Sequence, residues 1–81
     1  MKIEVLGPGC PNCKKLEQDV KFALTELGIE AEVIKVSDLI KISSYGVLMT
    51  PGLVINGKVY SSGKLPLMSK LKRWIEEEGN K

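Results

Sequence analysis

The stretch Ile3-Glu4-Val5-Leu6-Gly7-Pro8-Gly9-Cys10-Pro11-Asn12-Cys13 holds both cysteines of the chain at its end. They follow a short apolar run and precede an amphipathic helical pattern. A proline at the first helical position is preorganised and gives up no needed donor, so Pro11 marks a helix start and Cys10 its N-cap. The backbone N–H groups of Asn12 and Cys13 then lack intrahelical partners, point toward the Cys10 sulfur and lie at the positive end of the helix dipole. Both effects favour thiolate over thiol, so Cys10 is expected to be a nucleophile of lowered pKa. Cys13, one turn further in, is placed to attack a mixed disulfide formed at Cys10 and release the partner.

Outward from this stretch, Ile3 to Leu6 reads as a strand, and Gly7-Pro8-Gly9 as the turn that delivers the cysteines to its tip. Leu16, Val20, Ala23, Leu24 and Leu27 recur on one helical face, and Gly28 supplies the stop, so the first helix spans about Pro11 to Leu27. Ala31 to Val36 reads as a second strand. Ser37-Asp38 opens a short helix ending near Gly46. Leu53-Val54-Ile55 and Lys58-Val59-Tyr60 flank Asn56-Gly57, which predicts a two-residue type I′ hairpin. Leu67, Leu71, Trp74, Ile75 and Glu78 then share one face of a closing helix with an exposed charged tail, in which Lys72 pairs with Glu76 and Arg73 with Glu77. The order is β-α-β-α-β-β-α, an α/β fold.

At 81 residues the chain reads as a single domain, 1–81, able to bury about 60–65% of its unfolded surface. Its 12 basic and 10 acidic residues interleave, and its few aromatics are not set among basic residues, so no nucleic-acid partner is expected. No apolar run approaches a membrane span, and Met1-Lys2 leads into a strand rather than a secretion signal. A soluble, cytoplasmic, monomeric protein is the expectation, and a reducing compartment suits a catalytic cysteine pair better than a structural one.

A C-x-x-C beside a βαβ pattern is a known signature of dithiol redox chemistry. Thr50-Pro51, directly before the third strand, sharpens it, because an X-Pro bond at a strand entrance is a candidate for the cis isomer. A cis bond there would expose the Thr50 backbone beside the cysteines. Two rival uses of the same pair have to be weighed. A structural disulfide closing so short a loop removes little unfolded-state entropy, since stabilisation grows with the logarithm of loop length. Two sulfurs at a helix N-terminus also suit Cu(I), which makes soft-metal binding the main alternative. Zinc would need further ligands, and the chain has no histidine.

With these motifs together, namely Gly7 before Cys10-Pro11-Asn12-Cys13, Leu16-Glu17, Glu26-Leu27-Gly28, Thr50-Pro51-Gly52-Leu53, and Asn56-Gly57 with Gly63 beyond, nearly the whole chain resembles the thioredoxin-like superfamily. More closely it resembles the small glutaredoxin-like proteins called redox-active disulfide protein 2. The resemblance implies a four-stranded mixed sheet flanked by three helices, with Cys10 as attacking thiol, Cys13 as resolving thiol and Pro51 as a cis proline facing them. It implies a thiol-disulfide oxidoreductase whose only cofactor is the Cys10-Cys13 disulfide, with no metal. Partner disulfides would lie against Thr50, Pro51, Pro11 and Asn12, and a flavin-dependent thioredoxin-type reductase would restore the dithiol. Thioredoxins proper carry a buried carboxylate under the pair, whereas the first two strands here hold no Asp. Glutaredoxins hold glutathione on a Gly-Gly-x-Asp type turn, where this chain offers Ser62-Gly63-Lys64.

Overall fold

The computed structural model describes residues 1–9 and 11–79. Chain order is β1 (Lys2–Leu6), α1 (Pro11–Leu27), β2 (Glu32–Val36), α2 (Leu39–Ser44), β3 (Gly52–Ile55), β4 (Lys58–Ser62) and α3 (Met68–Gly79). The four strands form one sheet in the order β2-β1-β3-β4. β1 runs parallel to β2 and antiparallel to β3, which is antiparallel to β4. This mixed sheet with three helices is the thioredoxin-like arrangement that the resemblance implies. Among the described residues no helix is long and apolar enough to cross a membrane.

Strand alternation sorts the core into two layers. Ile3, Val5, Leu53 and Ile55 meet Leu16, Val20, Ala23 and Leu24 of α1 and Leu71 and Ile75 of α3. Leu6 and Val54 meet Val36, Ile42 and Val47 on the α2 side.

The punctuation of the elements is local chemistry. At the end of α1, Gly28 takes φ +67°, its N–H donates to the Thr25 carbonyl (3.3 Å), and Ile29 N–H donates to the Leu24 carbonyl (3.1 Å). That pair of bonds is a Schellman motif, which satisfies carbonyls the helix leaves open. Asp38 caps α2 by accepting from Ile40 N–H at 2.9 Å. Asn56 and Gly57 both have positive φ, as a type I′ turn requires.

Tertiary packing changes two expectations and gives a third residue its partners. Leu67 is not a core residue: it is 68% exposed, one position before α3 begins. Glu78 is buried with Leu71 and Ile75, on the face it was expected to share with them, and it accepts from Tyr60 Oη and from Asn56 Nδ2 (3.2 Å), with Lys58 Nζ at 3.6 Å. Among the described residues the Lys72–Glu76 and Arg73–Glu77 pairs do not form. Lys72 instead reaches across to Glu26 of α1 (4.0 Å) and lies over the Phe22 ring, 5.7 Å from its centroid. For Glu78 and Lys72 a neighbouring element offers the side chain a partner that helical spacing alone does not reveal.

Candidate functional site

β1 ends at Leu6, and the chain passes through Gly7 before α1 begins at Pro11. Gly7 N–H donates to the Val36 carbonyl at 2.8 Å, which continues the β1–β2 pairing by one residue and holds this backbone in place. The site is built around that point. A Cβ placed on Gly7 would lie 2.2 Å from Cys13 Sγ, 3.1 Å from Cys13 Cβ and 3.7 Å from Thr50 Cβ. Gly7 thus brings Cys13 and Thr50 to one backbone position, and its missing side chain makes room for the sulfur.

Cys13 belongs to the buried stripe of α1 and is 2% exposed. It is disulfide-bonded. Cys10, expected as N-cap and nucleophile, lies outside the described residues. Pro11 and Asn12 occupy the exposed first turn of α1.

The Thr50–Pro51 peptide bond is cis. Pro51 is fully buried, and its carbonyl accepts from Gly63 N–H at 2.9 Å, which ties the loop after β4 to the entrance of β3. Gly52 packs just as closely: a Cβ there would stand 3.2 Å from Val47 Cγ1 and 3.3 Å from Leu6. Thr50 itself is half-buried, and the preceding Met49 and Leu48 project into solvent, 68% and 90% exposed.

The lysines after Cys13 are spread along the solvent side of α1, where Lys15 pairs with Asp19 at 3.2 Å. Tyr45, the C-cap of α2, packs against the α2-side core. Its hydroxyl donates to Glu4 Oε1 at 2.8 Å, and that bond, with burial and the carboxylate charge adding to it, raises the Tyr45 pKa above its ordinary value.

Glu4 is a residue the sequence reading passed over. It sits in β1 between Ile3 and Val5, buried at 3% exposure, with Lys2 Nζ at 3.9 Å from Oε1 and no hydrogen-bond partner for Oε2. The first strand thus holds a buried carboxylate as a Glu, and it faces Tyr45 on the α2 side of the sheet. The signal was available: an acidic residue inside a strand apolar on both sides. Gly7, expected in the turn, has a φ outside the left-handed region, and its role is steric. No group of three or more His, Cys, Asp or Glu that could hold a metal occurs among the described residues.

Comparison with known proteins identifies the family. Residues 1–76 match the family model described as the thioredoxin domain. The chain is similar to a thioredoxin of Methanocaldococcus jannaschii, 39% identical over 74 residues covering 91% of this chain and 85% of that protein. It is also similar to a thioredoxin of Methanothermobacter thermautotrophicus, 36% identical over 73 residues covering 90% of this chain and 95% of that one.

Proposed function

This chain belongs to the thioredoxin family, and from that premise we propose that it is a thiol-disulfide oxidoreductase working on protein disulfides through Cys10 and Cys13. The observation that supports the reading is the convergence of Cys13 and Thr50 on Gly7, three residues before Cys10 in the chain. In the reaction, the Cys10 thiolate attacks one sulfur of the partner's disulfide. A Cys10–partner bond forms as the partner's S–S bond breaks, and the other partner sulfur leaves as thiolate. Cys13, deprotonated, then attacks the Cys10 sulfur, which forms the Cys10–Cys13 disulfide and expels the second partner thiolate. Two electrons pass from the cysteine pair to the partner, whose two sulfurs take up protons.

Burial divides the labour between the two sulfurs. A thiol that is 2% exposed is out of reach of a macromolecular disulfide but well placed for a neighbour one helical turn away, which suits Cys13 to the resolving step. The partner segment lies along the Thr50 backbone and the exposed turn of Pro11 and Asn12. A flavin-dependent reductase of the thioredoxin type returns the electrons.

The test is turnover by the reduced protein with insulin or a small aromatic disulfide. Cys10→Ser abolishes it, and Cys13→Ser accumulates a mixed disulfide detectable by mass. Tight Cu(I) or Zn(II) binding with no disulfide turnover would overturn the reading in favour of a metal carrier.

A further inference from the structure

Beyond Gly63 the loop runs into a second concave feature that the redox chemistry does not use. The pairing of β3 with β4 slips here: Leu53 opposes Ser61 while Val54 opposes Val59, so Tyr60 is the extra residue of a β-bulge. Bulges re-aim side chains. Tyr60 packs against Trp74 of α3, ring centroids 5.5 Å apart and tilted by 41°, and its hydroxyl is held by the buried Glu78. With Leu65 and the buried Pro66, these rings wall a cavity of about 190 Å³, and the exposed Lys64 and Lys70 stand at its edge.

Three properties define what fits. The volume is below the roughly 300–1,000 Å³ of pockets for small-molecule ligands and suits a single side chain. The walls are aromatic and aliphatic, which favours an apolar body. No acidic residue lines the cavity, and neither Lys64 nor Lys70 forms an ion pair among the described residues, so the edge carries uncompensated positive charge. The location matters as much. Lys64 directly follows Gly63, whose N–H is bonded to the Pro51 carbonyl. The Lys64 edge of the cavity thus adjoins in the chain the residue tied to the entrance of β3, the side on which a partner lying against Thr50 would pass.

We propose that this cavity is a specificity subsite for the disulfide-bearing partner, taking an apolar side chain flanked by carboxylates. The proposal rests on the redox reading for its partner but not for its binding test. Trp74 is the chain's only tryptophan, so its emission reports occupancy without any turnover.

The experiment titrates acetyl-Glu-Leu-Glu-amide and acetyl-Lys-Leu-Lys-amide into the full chain while recording Trp74 fluorescence. The acidic peptide shifts the emission saturably and the basic one does not. Replacing both Lys64 and Lys70 with Gln weakens the acidic peptide about three- to tenfold, the scale expected for two exposed ion pairs. In parallel, kcat/KM is measured for disulfide-linked peptides carrying the same flanks. The wild type favours the acidic substrate, and in the double variant, checked for native circular dichroism, that ratio falls toward one. Equal turnover of both substrates with no fluorescence response overturns the subsite and leaves the redox reading standing. A saturable response with no turnover of any disulfide supports the cavity and removes the redox reading. A stronger response to a thymidine oligonucleotide than to the acidic peptide overturns the assignment of ligand class.

Discussion

Replacing Gly7 with Ala puts one methyl group where Cys13 already is. An ordinary nonbonded contact is about 3.5–4.0 Å, while the new Cβ would stand 2.2 Å from Cys13 Sγ, so about 1.3–1.8 Å must be found. Neither side yields easily. Gly7 is tied to the Val36 carbonyl, and Cys13 is buried on a helix whose next inward residue, Leu16, is fully enclosed. Backbone conformation is no obstacle, since Gly7 is not among the residues with positive φ. The effect is therefore overpacking, about 1–3 kcal/mol. For a domain of this size each kcal/mol lowers Tm by about 4–8 °C. The displacement also falls on the resolving sulfur, and misplacement by about 1 Å can cost on the order of a hundredfold in rate. Thermal denaturation gives the first quantity and turnover of an aromatic disulfide the second. Gly28→Ala serves as control: nothing lies within 4 Å of its Cβ position, so it costs about 1–2 kcal/mol through its positive φ alone and leaves turnover intact. Unchanged melting and unchanged turnover in Gly7→Ala would refute the steric account of the site.

Further outcomes follow from other residues. Cys10 should alkylate faster than Cys13 in the reduced protein, with an apparent pKa below the free-thiol value of about 8.5; preferential iodoacetamide labelling of Cys13 would reverse the assigned roles. The raised Tyr45 pKa makes its bond to Glu4 fully stabilising below the ordinary tyrosine pKa of about 10, a contribution lost as pH rises through the higher folded-state value. Denaturant midpoints should therefore fall on the alkaline side, and more shallowly in Tyr45→Phe; identical slopes would remove Glu4–Tyr45 from the account. Glu78→Ala should cost about 2 kcal/mol, because it strips the buried acceptor from Tyr60 and Asn56. It should also broaden or shift Trp74 emission by freeing the Tyr60 ring. Chemical denaturation and fluorescence on one sample check both.

Local signals in the chain determined the elements and where they stop. Pro11 and Gly28 bound α1, Asp38 caps α2, and Asn56-Gly57 turns the hairpin, because each acts through φ or through backbone groups within a few residues of itself. The cis bond at Thr50–Pro51 was legible for the same reason, proline being the residue whose preceding peptide bond tolerates that isomer. The assignment of redox chemistry to the cysteine pair, and the role of Cys10 within it, rest on the sequence and on kinship. What only tertiary structure decided are the meetings between residues far apart in the chain. The free space at Gly7 is defined by Cys13 and Thr50 arriving from α1 and from the loop before β3. Glu4 and Glu78 are buried because Tyr45, Tyr60 and Asn56 are brought to them across the sheet. Likewise the slip between β3 and β4 that aims Tyr60 at Trp74 is a matter of register between strands. Burial and partnership depend on which surfaces the fold presses together, and the spacing of residues along one element does not contain that information.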